Sequence, residues 1–192
     1  TRGYALATAC YGDIAPDDKD LYTNGVHTLF PAVTPGVGND TTAIAAWAWG
    51  LMRGMDMLEK EAAIDSKRVA VIGCSRLAKA ALLAGAKDER YAVVVPNQTG
   101  GGGVPLAKRD YGENVSTQNQ MFPHWFCGNF RQYSDNEAAM PFDQHMLLAA
   151  CAPRKLYVSG FPGKWFDPYG EFLSVKAAEP VWQFLGHPGL PA

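Results

Sequence analysis

Val69-Ala70-Val71-Ile72-Gly73-Cys74-Ser75-Arg76-Leu77-Ala78-Lys79 is the stretch on which the fold turns. Val69 to Ile72 is short, apolar and β-branched, which fits a buried strand, and the Ala and Leu-rich run from Leu77 to Ala86 reads as a helix. Gly73 separates the two and leaves Ser75 at a sharp turn. A strand, turn and helix in this order lift a serine hydroxyl clear of a sheet and aim backbone N–H groups and the helix N-terminus at developing negative charge. A serine hydroxyl attacks poorly unless a base takes its proton and donors hold the resulting oxyanion. Ser75 is therefore the candidate nucleophile. The general G-x-S-x-G pattern fails at its last position, Leu77, so the competing reading is a helix-capping Ser75 with solvated Arg76 and Lys79. Arg76 beside the serine, and Lys79 one helical turn further on the same face, fit an anionic substrate.

Working outward, Tyr4 to Cys10 is short, apolar and bounded by Gly3 and Gly12, predicting a buried strand. A Pro, Gly and Asp-rich stretch follows to Gly38, and from Asp40 as N-cap, Ala, Trp, Leu and Met recur at helical spacing to about Ala63. Tyr91 to Val95 predicts a strand stopped by Pro96, and the four glycines from Gly100 to Gly103 a loop. Lys108 to Met140 has no clean period and reads as an excursion over the sheet edge. Asp143 caps a helix through Cys151, Leu156 to Ser159 predicts a strand, and Glu171 to Leu185 a helix despite Pro180. Alternating strands and helices predict an α/β fold, a mostly parallel sheet with helices on both faces and a site at the strands' carboxyl ends.

Composition narrows the function classes. The 192 residues are 47% hydrophobic and 19% charged with a net charge of -2, and no run approaches the ~18 apolar residues of a membrane span. Such a balance gives no support to nucleic-acid or membrane partners. The four cysteines lack the close pairs of a zinc site.

Ser75 in GCSRLAK, FPHWF (Phe122 to Phe126), PFDQHML (Pro141 to Leu147), APRKLYV (Ala152 to Val158) and WFDPYGEFL (Trp165 to Leu173) together resemble the glucuronoyl esterases, carbohydrate esterase family 15. The opening RGYALATACYGDI and the NGVHTLF run extend the resemblance over nearly the whole chain, closer to bacterial than to fungal members. It implies an α/β-hydrolase, without metal or organic cofactor, that cleaves esters of glucuronic or 4-O-methylglucuronic acid in glucuronoxylan–lignin linkages. It further implies that Ser75 attacks the uronoyl carbonyl, Arg76 stabilises the oxyanion, and Lys79, Glu113 and Trp165 contact the sugar. A tryptophan face suits the apolar face of a pyranose; core packing is the competing reading for Trp165. A secreted or periplasmic location follows from a polymeric plant-wall substrate. Oligomeric state is left open, as are an acetyl xylan esterase and a non-catalytic carbohydrate-binding relative.

The sequence departs from the family in three places. Ala78 stands where the family motif has Gly. Gln98 stands where many members carry the Glu of the triad, and Gln hydrogen-bonds but cannot neutralise an imidazolium. Other bacterial members place the acid near the tryptophan matching Trp165, which nominates Asp167, against a turn-forming Asp before Pro168. The expected order is Ser, acid, His, yet only His187 follows Asp167, at a helix end, while His27, His124 and His145 lie in scaffold motifs. The resemblance thus implies a single partial domain over residues 1–192, with early strands and the base histidine outside it, and negligible esterase activity for these residues alone. Fungal members pair the cysteine matching Cys74 in a disulfide; a free buried thiol is the simpler reading.

Overall fold

Three parallel strands in sequence order form the sheet in the computed structural model, which describes residues 3–20, 23–30, 38 and 40–190. In chain order the elements are α1 (Tyr11–Ile14), α2 (Ala43–Leu58), β1 (Ala70–Cys74), α3 (Arg76–Lys87), β2 (Val93–Asn97), α4 (Val115–Met121), α5 (Gln144–Ala149), β3 (Lys155–Leu156) and α6 (Pro168–Phe184). The register runs from Ala70↔Val93 to Cys74↔Asn97, and β3 joins through Val93↔Lys155 and Val94↔Leu156. The architecture is a parallel sheet flanked by helices, as the alternating pattern predicts.

Pro96 does not stop β2; it lies inside it, opposite Gly73. Val94 and Pro96 share the side of the strand on which Val94 O accepts Tyr157 N at 3.0 Å. Because proline has no N–H to give, the ladder toward β3 lapses after Val94↔Leu156 and resumes only as the bridge Asn97↔Ser159. That is why β3 is shorter than its apolar run.

Alternation decides which strand residues face the core. Val71 and Val94 are buried, packed with Leu82 of α3, Leu148 of α5 and Trp182 of α6, whereas Ile72, on the other face of β1, is 64% exposed. A second apolar cluster joins Ala43 and Trp47 of α2, Ala80 of α3 and Trp125. Helix α3 serves both clusters, and its alanines let neighbours approach from two sides.

Several boundaries differ from the sequence expectation. Tyr4 to Cys10 forms no strand: it has no ladder partner among the described residues, and Tyr4 and Leu6 are each 88% exposed. A β-prone run becomes a strand only where another strand satisfies its backbone. Helix α2 starts after Thr42, whose hydroxyl donates to Trp125 O at 2.7 Å, while Asp40 accepts from Gly128 N. It ends at Leu58, before the polar Glu59-Lys60-Glu61. Helix α6 starts at Pro168 with Asp167 as its N-cap, and Pro180 is accommodated on its exposed side.

Candidate active site

Ser75 stands at the carboxyl end of β1 with φ 57° and ψ -128°, a strained conformation for a non-glycine residue at a sharp strand-to-helix turn. Its backbone is pinned on both sides: Ser75 N donates to Asn97 O at 3.0 Å, and Ser75 O accepts from Ala78 N at 2.9 Å. The side chain makes no capping hydrogen bond to α3 and is exposed, so the hydroxyl is left for chemistry. Gly73 is required by crowding, since a Cβ there would sit 2.1 Å from Leu77 O. Ala78, the departure from the family motif, is fully buried and fits without displacing the elbow.

Arg76 follows directly and turns its guanidinium onto aromatic rings, 4.9 Å from the Trp125 centroid and 5.5 Å from that of Phe122. One edge pairs with Asp17 Oδ2. The other carboxylate oxygen, Asp17 Oδ1, accepts Trp125 Nε1 at 2.9 Å and lies 2.8 Å from His124 Nε2. Burial pushes the Asp17 carboxyl up, but the hydrogen bonds from Trp125, His124 and Arg76 outweigh it and hold the group below the ordinary carboxylate value.

Lys79 is 2% exposed at its side chain and donates from Nζ to Glu113 Oε2 at 2.9 Å. Burial draws the ammonium below the usual lysine value, with Glu113 working against that shift. Glu113 lies just ahead of α4, whose Asn114 cap accepts Thr117 N at 2.9 Å, and Gln118 Nε2 donates to Glu113 O at 2.9 Å. Glu113 N in turn donates to Trp165 O at 3.3 Å, which ties the two loops together.

These loops enclose a cleft of about 190 Å³ whose walls include Ser75, Arg76, Glu113, Phe122, Trp125 and Trp165. The structure therefore brings together four residues singled out from sequence. Trp165, 42% exposed, is a cleft wall and not a core residue. Lys79 is absent from the wall and stands behind Glu113, with which it is ion-paired.

Asp167 does not line the cleft. Its Oδ1 accepts Gly170 N at 2.9 Å and its Oδ2 accepts Arg109 Nε at 2.7 Å, so both oxygens are committed to the start of α6 and to an ion pair. The structure thus places Asp167, the acid nominated from sequence, away from the cleft wall, at the start of α6. Gln98 has φ 52°, with its Oε1 4.0 Å from Cys74 Sγ at the neighbouring strand tip. Cys74 is a free thiol, exposed where a buried one was expected. No histidine among the described residues lines the cleft. His187 closes α6, its N donating to Trp182 O at 2.9 Å.

Asp17 and Glu171 were not singled out from sequence. Asp17 sits in a Pro-Asp-Asp turn, and nothing local connects it to Arg76, 59 residues on. Glu171 is buried on α6 behind the cleft, where it accepts a 3.4 Å hydrogen bond from Thr99 Oγ1, and burial pushes its carboxyl up to about 6.

A family model described as glucuronyl esterase of fungi matches residues 18–186. Over its whole length the chain is 46% identical to carbohydrate esterase MZ0003 of an unknown prokaryotic organism, covering 45% of it. It is 39% identical to 4-O-methyl-glucuronoyl methylesterase 1 of Phanerochaete chrysosporium, with 79% of this chain and 34% of that one aligned. Among solved structures, a glucuronoyl esterase from Solibacter usitatus superposes with a TM-score of 0.86 at 47% identity, covering 95% of this chain and 47% of the other. The chain thus spans between a third and a half of the length of these relatives.

Proposed function

This chain belongs to the glucuronoyl esterase family, and on that premise we propose that it carries the nucleophile and the sugar-facing wall of a serine carboxylic-ester hydrolase acting on esters of glucuronic or 4-O-methylglucuronic acid. The observation that carries the reading is the shared cleft: a strained, uncapped Ser75 beside an anchored guanidinium, facing a carboxylate and a tryptophan. Ser75 Oγ attacks the uronoyl carbonyl, and the Arg76 guanidinium takes up the charge that develops on the carbonyl oxygen. The alcohol leaves, and water releases the uronic acid from the acyl-serine. Glu113, ion-paired with Lys79, accepts sugar hydroxyls, and the exposed Trp165 covers the apolar face of the ring. In glucuronoxylan the leaving alcohol is a lignin hydroxyl. A polymeric substrate of that kind supports a secreted or periplasmic location, and none of the described helices is long and apolar enough to cross a membrane.

A second reading is a carbohydrate-binding relative that has lost turnover, favoured by the neutral Gln98 and by the absence of a histidine from the cleft wall among the described residues. Hydrolysis of benzyl glucuronate by the full-length protein and by its Ser75→Ala variant separates the two. The esterase reading expects a loss in the variant of at least about 10⁴-fold, the scale seen when a serine nucleophile is removed. Binding without Ser75-dependent turnover would establish the second reading, and cleavage of acetylated xylan alone would replace both with another esterase class.

A further inference from the structure

Resting on the esterase reading of the cleft, we infer that Asp17 is a positioning residue for the reaction: its carboxylate fixes the Arg76 guanidinium at the place beside Ser75 where the oxyanion forms. An arginine side chain next to a nucleophile is useful only if it does not reorganise as charge develops, because preorganised donors are what lower the barrier. Arg76 has a floor and one anchored edge. The floor is Trp125, itself stacked on Phe122 with centroids 3.8 Å apart, and the guanidinium carbon lies 4.9 Å from the Trp125 centroid and 5.5 Å from that of Phe122. The edge is Nη1, held by Asp17 Oδ2. The guanidinium's remaining donors have no protein acceptor among the described residues, and Arg76 lines the cleft, so they are available to a carbonyl oxygen there.

Asp17 is itself fixed, although it lies in a turn. The preceding Ala15 is fully buried and its carbonyl accepts Trp47 Nε1 at 2.8 Å. Ile14 lies flush on α2 at Gly50, where a Cβ would come within 2.3 Å of Ile14 Cδ1. Tyr11 meets the Trp47 ring edge-on at 5.1 Å. Trp125 Nε1 and His124 Nε2 then hold Oδ1, leaving Oδ2 to the arginine. A chain of packed contacts thus runs from α2 through α1 to Asp17 and on to Arg76.

The test, made in the full-length protein, is Asp17→Asn, which keeps an oxygen for Trp125 and His124 but removes the charge that holds Arg76. Its kcat on benzyl glucuronate should fall about 10 to 100-fold with KM within about twofold, less than the 10²–10³ expected when an oxyanion donor is removed outright. In an Arg76→Ala background the same change should cost nothing further, whereas a merely structural role would multiply. Nitrogen-15 NMR of the Arg76 guanidinium provides a readout without turnover: hindered rotation about its Nη bonds in the wild type, released in Asp17→Asn. Free rotation in the wild type, rotation unaffected by the variant, or an unchanged kcat would each overturn the proposal. A held guanidinium in a protein without Ser75-dependent hydrolysis would leave the positioning intact and sink the esterase reading instead.

Discussion

Lys79 and Glu113 show how far residue identity and residue role can separate. Both were expected at the sugar from the motif alone, yet only Glu113 reaches the cleft wall, and the ammonium is sealed behind it. Burial makes this pair a point of high sensitivity. Removing one partner of a buried pair leaves the other charge uncompensated, at about 3–5 kcal/mol, whereas replacing both can be nearly neutral. Lys79→Met should therefore lower stability in urea denaturation at neutral pH by about 3 kcal/mol. The double variant Lys79→Met/Glu113→Gln should recover most of that loss while leaving sugar binding impaired, because the cleft has then lost its carboxylate. Ser75, Arg76 and Trp165, each named from a motif, do line the cleft. Asp17 was not, because its partners lie 59 and more residues away.

Gly73 governs the strand-to-helix transition at the scale of the element. The backbone of α3 folds back over the end of β1 so closely that a Cβ at this position would meet Leu77 O at 2.1 Å and Ala78 N at 2.7 Å. Both are main-chain atoms that cannot swing aside. Gly73→Ala should thus cost about 3 kcal/mol, read as a melting temperature lower by roughly 6–12 °C for a chain of this length. The same local tightness made this element readable from the sequence. Where pairing with a distant strand is needed, reading failed: Tyr4 to Cys10 has strand composition and no partner, and β2 runs through a proline because its lost N–H falls on the side of the short β3.

Glu171 connects the whole molecule to pH. It lies between α6, the Thr99 hydroxyl and Gly160, where an added Cβ would come within 2.2 Å of Glu171 Oε2, and burial holds its carboxyl up at about 6 against an ordinary 4.5. Between these two values the folded protein binds more protons than the unfolded chain, so its stability falls as pH rises through that window and the cost is complete above it. At about 1.4 kcal/mol per unit, partly offset by residual solvent, the burden is ~1–2 kcal/mol. Glu171→Gln keeps an acceptor for Thr99, and should raise stability by about that amount at pH 7.5 while leaving it unchanged at pH 4. Denaturant titrations at the two pH values check the sign: equal effects at both would mean that the carboxyl does not titrate in the fold.

Sequence motifs are local in reach. A β-branched run, a glycine, a serine and an alanine-rich helix follow one another within a dozen residues, and that succession puts Ser75 at a strand-to-helix turn. The order of motifs along the chain was likewise readable without coordinates. Packing between distant segments sets which charges face the cleft and which stand behind it, places Asp167 as the cap of α6 in an ion pair with Arg109, and pairs Asp17 with Arg76. Burial and pairing depend on distances between segments far apart in sequence, and a side chain's charge acquires its role only when packing sets its partner and its solvent.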